Sequence, residues 1–441
     1  MAAQPPTSVD VVVVGAGTAG AIVAGRLAAA GDRSVLLVER GPGAPPDPSI
    51  TALTRLPLDD PERSAPVAEI RRRPVVRGRG LGGSAAINGG YFLRPHLADF
   101  DAWPSWWTTE RCAAAFTALD GGAAGGGAMS VSTFADDELG DVAAAFERYW
   151  TPRSGPPELG AWSRPGLVRV RSNRRAGRRF TAADAFLASP TPGLTVLGET
   201  TVAEIVHDGR RVHGIRIGAE HVAAGDVILA AGALGTADLL LRSEVLRALG
   251  LPRLPTHEHA ERLVRFTPRR SVQAPALLQS VVHSDDGLEI RCYGDDFARF
   301  IGGHAERGVP IGVTDLREPT RGVVDEAGLD LGVPTPESRA RMDRGAAQVA
   351  QMLAASEFTE LVVPGSIEID PTIGMSQHAT GTLPLDGPDV DHLGGFRALR
   401  GLRVVDGSVL PGPVHSGPHA TIAMVAWAIA EELTGQNKVF Q

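Results

Sequence analysis

Within the first forty residues the apolar rhythm of the chain switches from strand to helix and back. Residues 9–14 (VDVVVV) are apolar without alternating, the pattern of a strand buried on both faces of a parallel sheet. Residues 19–30 are alanine-rich and read as a helix closed by Gly31; residues 34–38 (SVLLV) return to a buried strand. Strand, helix and strand in about thirty residues make a β-α-β unit. Residues 42–74, rich in Pro, Asp and Arg, predict an extended excursion, and the run GGAAGGGA at 121–128 a mobile loop. Segments 194–206, 212–217 and 221–230, divided by the turns DGRR and GAE, predict a small antiparallel sheet feeding a last strand. A helix follows over 236–247. From 251 to 330 short strands are punctuated by polar residues, and 336–356 has helical spacing. Residues 401–411 (GLRVVDGSVLP) are again a buried strand, and 421–433 a helix. The pattern is therefore α/β, with one domain built from both ends of the chain (1–250 and 395–441) and an antiparallel sheet-plus-helix domain inserted at 251–394. No internal repeat is visible.

Composition narrows the picture. Of 441 residues, 43% are hydrophobic and 21% charged, enough for a sizeable core and against global disorder. The net charge is −8, and the arginine runs at 71–73 and 174–179 are too isolated to form a basic stripe, which argues against a nucleic-acid partner. Two cysteines, Cys112 and Cys292, cannot make a disulfide scaffold, and no Cys/His spacing resembles a metal site; a reducing cytoplasm fits. The opening MAAQPPTSVD lacks the basic and apolar regions of a signal peptide. No transmembrane segment is expected, and peripheral contact with a membrane is left open.

The candidate chemistry starts at GAGTAG. Gly15, Gly17 and Gly20 have the G-x-G-x-x-G spacing between strand and helix. The first glycine permits the tight turn, the second lets backbone approach a pyrophosphate, and the third brings helix onto sheet. The phosphates would rest on unsatisfied N–H groups at the positive end of the helix dipole. Glu39 ends the second strand, 24 residues after Gly15, where a carboxylate can accept both ribose hydroxyls and repel a 2′-phosphate. This motif does not distinguish FAD from NAD. A second cluster, GLGGSAAING, allows another close approach at Gly82 and Gly83 and adds small polar groups at Ser84 and Asn88. A flavin needs backbone along one ring edge; a nicotinamide needs no such second cluster. Near the C-terminus, His378 (SQHATGT), His415 and His419 (PVHSGPHAT) lie beyond the inserted domain, the last two beside a Gly/Pro turn that opens a helix. Imidazole suits an alcohol proton near neutral pH. Trp103, Trp106 and Trp107 read as packing, and Asp99 and Asp101 as solvated loop charges.

Three separated motifs, GAGTAGAIVAGRLA, RGLGGSAAINGGYFLRP and LRVVDGSVLPGPVHSGPHAT, resemble those of the glucose–methanol–choline flavin oxidoreductases over nearly the whole chain. The stretch SAAINGGYFLRPHLADFDAW is similar to the family's dehydrogenase encoded with the mycofactocin redox-peptide system. The resemblance implies a Rossmann-like FAD-binding domain, an inserted substrate domain, and a histidine base at His378. It also implies FAD contacts at Gly15, Gly17, Thr18, Ala19, Glu39, Arg40, Gly82, Gly83, Ser84, Asn88, Gly89, Val202, Asp406, Gly407 and Thr421. Asp406 would meet the ribityl chain, its alternative being a turn cap. Where some members carry a histidine that binds FAD covalently, this chain has Ile87, so non-covalent FAD is expected.

The family's second catalytic side chain falls at Gly417, which has none. His415 or His419 is expected to replace it, His419 being preferred. The expected reaction is alcohol oxidation. His378 takes the hydroxyl proton as hydride passes to flavin N5, His419 steadies the alkoxide, and the helix N-terminus at Thr421 faces flavin N1 and O2. The substrate would be a small alcohol or a mycofactocin-type cofactor, and the electron acceptor a carrier or the respiratory chain. An alcohol oxidase releasing peroxide and a non-catalytic FAD-bound scaffold are the rivals.

Overall fold

The computed structural model describes residues 4–71 and 74–435; Arg72 and Arg73 of the first arginine run lie outside them. Strand β1 (Ser8–Val14), helix α1 (Thr18–Ala30) and strand β2 (Val35–Val38) form the β-α-β unit read from the sequence. Val11, Val12, Val13, Leu36 and Leu37 have no exposed surface, as the unbroken apolar runs require. Parallel to β1 on its other side runs Glu220–Leu229, and Leu402–Val404 pairs parallel to the end of that strand. The C-terminal segment thus returns to the sheet that the N-terminus begins. Helix His419–Leu433 packs against α1 and buries Ala423, Met424, Ala426 and Ile429.

Two details differ from the sequence reading. Leu194–Leu197 is no part of an antiparallel sheet; it pairs in parallel with β2, Leu194 opposite Val35 and Leu197 opposite Val38. As an edge strand it leaves some of its side chains partly exposed, which gives a parallel strand the look of an antiparallel one. Val202–His207 and Val212–Ile217 do pair antiparallel, against the first half of Glu220–Leu229. The helix expected over 236–247 runs Gly232–Arg242 and then breaks, because Glu244 takes a left-handed φ of 54° before a short turn at Val245–Ala248.

The second large sheet is antiparallel throughout. Its order is Glu368–Met375, Ala260–Phe266, Val309–Asp315, Leu288–Tyr293, Leu278–His283 and Gly166–Arg169. The last strand comes from the part of the chain grouped above with the nucleotide half, so this sheet draws on residues outside 251–394. Alternation along these strands separates two faces. Val264, Phe266, Leu288, Ile290, Cys292, Val309, Ile311 and Val313 point into one apolar cluster with residues of helices Asp141–Ser154 and Pro336–Leu353. Glu261, Glu289, Arg291, Tyr293 and Thr314 occupy the other face, buried and polar.

Candidate active site

The two glycine clusters meet backbone to backbone. The Gly82 N–H donates to the Ala16 carbonyl at 2.9 Å. A Cβ on Gly83, whose φ is +51°, would stand 2.8 Å from the Gly17 Cα. Gly20 is equally constrained: its Cβ would lie 1.8 Å from the Gly15 oxygen. Glu39 staples the arrangement, for its buried carboxylate accepts the N–H groups of Ala16 (2.9 Å), Gly41 (2.8 Å) and Gly80 (2.9 Å). Three backbone donors leave this carboxylate one acceptor site for a ribose hydroxyl. Ser84 is exposed and its Oγ accepts the Gly78 N–H at 3.0 Å. Asn88 Oδ1 accepts the Gly90 N–H at 2.8 Å, closing a turn, and Gly89 packs on Leu277. Arg40 is exposed at the end of β2, Ala19 is buried in α1, and Val202 opens its strand as a buried residue.

These parts fit a dinucleotide bearing a polar ring. Helix α1 and helix His419–Leu433 both begin without a side-chain cap and without an acidic residue in the first turn, so both N-termini remain free for an anionic group. Thr421 Oγ1 is buried with no hydrogen-bond partner among the described residues, as expected of a group reserved for a ligand. Asp406 is buried and capping: it accepts the Ser408 N–H at 2.8 Å and the Thr236 hydroxyl at 2.6 Å. Burial pushes its pKa up. Gly407 accepts the Gly381 N–H through its carbonyl, binding the strand exit to the HATGT segment. At the family's covalent position, Ile87 is a buried alkyl side chain that cannot bond to a ring.

His378 and His419, expected to work as a pair, make no contact with each other. His419 opens its helix and lies at the first glycine turn, with Nε2 3.1 Å from Thr18 Oγ1 and Nδ1 3.3 Å from the Tyr91 carbonyl. Burial lowers its pKa to about 4. His415 turns the other way, toward Asp99, whose carboxylate meets its Nδ1 at 2.6 Å and its N–H at 2.8 Å. Asp99 is thus a partly buried hydrogen-bond partner of His415 and not a solvated loop charge; the pairing spans 316 residues and leaves no local trace. The three tryptophans pack: Trp103 and Trp107 are buried, and Trp107 Nε1 donates to the His392 carbonyl at 2.8 Å.

Across from His378 stands Gly417. A Cβ there would lie 3.4 Å from His378 Cε1 and 3.3 Å from Tyr91 Cε1. Tyr91 and His378 therefore crowd a Cβ at 417 without barring it. The imidazole that does touch His378 is His259, Nδ1 to Nδ1 at 3.1 Å, rings nearly perpendicular at 86°. His259 joins strands Arg253–Glu258 and Ala260–Phe266. Glu258 beside it accepts two backbone N–H groups, from His378 at 2.7 Å and His259 at 2.9 Å, and leaves Oε2 buried and unpartnered. Burial raises Glu258 to about 7. Burial lowers His259 to about 3 and holds His378 well below the ordinary histidine value, with Arg291 adding to both shifts. Both rings are therefore neutral near pH 7. His257, His259 and His378 line one narrow cleft with Thr380, Val414 and Pro418. A second surface cleft, lined by Arg71, Arg321 and Thr335, shares only Pro319 with it.

Behind this cleft lies the polar face of the antiparallel sheet. Glu289 Oε2 accepts from the Tyr91 hydroxyl at 2.6 Å and faces His283 Nε2 at 2.9 Å; Oε1 accepts from Arg291 Nε at 2.6 Å. Burial alone would raise the Glu289 pKa, but Arg291 and His283 hold it far below the carboxylate range. Arg291 also donates to Ser376 Oγ at 2.8 Å, two residues before His378. Sequence reasoning missed His259, Glu258, Glu289, Arg291 and Tyr91. The available signal was HEHAER at 257–262 and LEIRCY at 288–293, where titratable residues alternate along apolar strands.

Two family models, both described as GMC oxidoreductase, match residues 9–250 and 333–426. An uncharacterized GMC-type oxidoreductase of Rhodococcus erythropolis is 28% identical over 97% of this chain and 99% of its own. Pyridoxine 4-oxidase of Microbacterium luteolum is 32% identical over 54% of this chain and 52% of its own. The crystal structure of pyridoxine 4-oxidase from "Mesorbium loti" superposes with a TM-score of 0.80 at 24% identity, covering 96% of this chain and 98% of that one.

Proposed function

The chain belongs to the GMC oxidoreductases, a family of FAD-dependent enzymes, and from that premise we propose that it oxidises a CH–OH group with His378 as base and an acceptor other than oxygen. The supporting observation is His378 itself, a neutral imidazole held in a narrow cleft by the His259 ring and the Glu258 carboxylate. FAD would be held non-covalently by the backbone from Gly15 to Ala19, by Glu39 and Arg40, by Gly82, Gly83, Ser84, Asn88 and Gly89, and by Val202, Asp406, Gly407 and Thr421. Bound there, it supplies a two-electron acceptor for the hydride of the alcohol carbon.

The protein's own part is proton handling and orientation. His378 receives the hydroxyl proton on a ring nitrogen. Its desolvated surroundings, with Arg291 adding to the effect, keep it unprotonated until substrate arrives. The free N–H groups at the start of helix His419–Leu433, aligned with its dipole, favour negative charge on whatever ring edge they face. A donor role for His419 requires its Nε2 to leave Thr18. Held as it is, His419 fastens the C-terminal turn to the first glycine turn.

The favoured substrate is a small alcohol or a mycofactocin-type redox cofactor, on the resemblance of residues 84–103, with electrons leaving to a carrier, of the respiratory chain among others. A cytoplasmic site of action is proposed; no helix among the described residues is long and apolar enough to cross a membrane. An oxidase releasing peroxide is the second reading, favoured by the likeness to pyridoxine 4-oxidase. The test is anaerobic bleaching of the purified flavoprotein by reduced mycofactocin, pyridoxine, choline and benzyl alcohol, followed by admission of air. Bleaching that persists in air supports the first reading, and prompt recolouring with peroxide the second. No bleaching by any of them returns the scaffold reading. His378→Asn should slow bleaching about 10²- to 10⁴-fold with flavin still bound.

A further inference from the structure

We propose that the alcohol oxidised at His378 carries a carboxylate at its far end, and that Arg321 in the neighbouring cleft binds it. The inference deepens the reading of His378 as base and rests on it.

The two clefts are joined by one cross-strand row. His257, in strand Arg253–Glu258, stands between Thr380 on one side and Arg321 of strand Thr320–Asp325 on the other. Its N–H donates to the Thr380 carbonyl at 2.9 Å, and its carbonyl accepts the Thr380 N–H at 3.0 Å. Residues paired directly across antiparallel strands turn their side chains to the same face. Thr380, two residues after His378, lines the first cleft with His257; Arg321 lines the second, and Pro319 belongs to both. Strands stand about 4.8 Å apart, so the row from Thr380 to Arg321 spans about 10 Å. An extended chain advances about 1.2 Å per bond, which makes that span about eight bonds.

Charge in the second cleft, a space of about 260 Å³, is balanced everywhere except at Arg321. Arg71 gives Nε and Nη2 to Asp330, at 2.7 and 2.5 Å. Glu318 accepts from Arg341 Nη2 at 3.0 Å and from the Thr335 hydroxyl at 3.0 Å. Both carboxylates of the cleft therefore already face a cation. Arg321 is exposed, and no acceptor among the described residues meets its guanidinium. An unpaired surface arginine is ordinary; this one ends a row that begins beside the base. Its planar fork of donors suits a carboxylate through two parallel bonds. His257 adds no charge, because burial and the Arg321 cation lower its pKa and leave the ring neutral near pH 7. Pro319 and the exposed Val333 offer apolar surface to the carbons in between.

The experiment follows anaerobic flavin bleaching against concentration for ω-hydroxy acids of butyrate to dodecanoate length and for their methyl esters. The ester keeps the chain and loses the charge. In the native holoprotein the acid should half-saturate about fivefold below its ester, most clearly near ω-hydroxyoctanoate. High salt should shrink the difference. Arg321→Met should abolish it, the change falling on the half-saturating concentration. Arg321→Glu should reverse it, favouring ω-aminooctanol over the acid. Octanoate has no hydroxyl to oxidise, so calorimetry of its binding to the holoprotein tests Arg321 without His378. It should bind the native protein and lose that affinity in Arg321→Met. Equal half-saturation of acid and ester, or a preference that survives in Arg321→Met, overturns the proposal and leaves the base at His378 standing. If no chain bleaches the flavin, octanoate held equally by native and Arg321→Met proteins overturns it as well. A His378→Asn protein that bleaches at the native rate, while octanoate binding still depends on Arg321, sinks the reading of His378 as base instead.

Discussion

The two large sheets meet at one site and contribute to it in opposite ways. The parallel sheet around β1 is apolar on both faces and offers almost no side-chain chemistry; its contribution is backbone, delivered by glycines whose missing Cβ atoms let one turn lie on another. The antiparallel sheet is apolar on one face only. Its other face buries Glu261, Glu289, Arg291 and Tyr293, and its edge carries His259 against His378. A backbone site tolerates no added atoms, because nothing in it can move aside. A side-chain site is held by mutual satisfaction of charges and fails when one partner is removed. The contrast predicts different kinds of damage.

The largest effect should come from the backbone side. Gly20→Val would drive a Cβ to within 1.8 Å of the Gly15 oxygen, where neither helix nor turn can yield. The variant should purify without flavin, seen as the loss of visible absorbance. A yellow Gly20→Val protein would break the comparison at its root. Next, Glu289→Gln removes the negative charge shared by Arg291, His283 and Tyr91. Arg291 keeps only Glu261 at 3.5 Å as an ionic partner. Breaking a buried pair of this kind costs about 3–5 kcal/mol, so the urea midpoint should drop sharply while flavin binding persists. Equal loss of flavin in both variants would erase the distinction drawn between the sheets.

The same contrast explains what could be read in advance. The β-α-β opening, the glycine turns, Glu39 and the return of residues 402–404 to the first sheet are carried by contiguous residues, so local pattern reveals them. His378 was legible as one residue in HATGT, but its partner was not: His259 lies 119 residues earlier, and only strand pairing unites them. His419, beside the right motif, was the natural choice for that partner, yet a helix start fixes the direction of its ring toward Thr18. Asp99 was misread for the same reason, since charge in a loop looks solvated until the residue that covers it is known.

Two finer measurements sharpen the comparison within the side-chain half. Glu258 has its folded pKa raised by burial from 4.5 to about 7. Between those values the unfolded chain loses its proton while the folded chain keeps it, so stability should fall as pH rises from about 4.5 to about 7 and then level off. Glu258→Gln keeps an oxygen for the two backbone N–H groups and does not titrate. The difference between native and variant stability, followed by urea melts across that range, should decline with pH. A flat difference would mean that the carboxyl is already ionised beside the two histidines.

The smallest expected effect lies at Gly417, where the two kinds of site touch. Its backbone needs no unusual conformation, since its φ lies outside the left-handed range. Alanine there is therefore allowed by the chain and resisted only by the neighbours, at 3.3 Å from Tyr91 and 3.4 Å from His378. Tyr91 is anchored through its hydroxyl to Glu289, so the ring that can give is His378, by a few tenths of an ångström. If His378 is the base proposed above, displacing it by about 1 Å can cost a hundredfold, so Gly417→Ala should slow bleaching by about tenfold or less, with unchanged flavin content. Had Gly417 served to admit a substrate atom and not to seat the Tyr91 and His378 rings, the same methyl group would weaken substrate binding and leave the limiting rate intact. Measuring bleaching against alcohol concentration separates the two: a lower plateau marks a displaced imidazole, a shifted midpoint a blocked cleft.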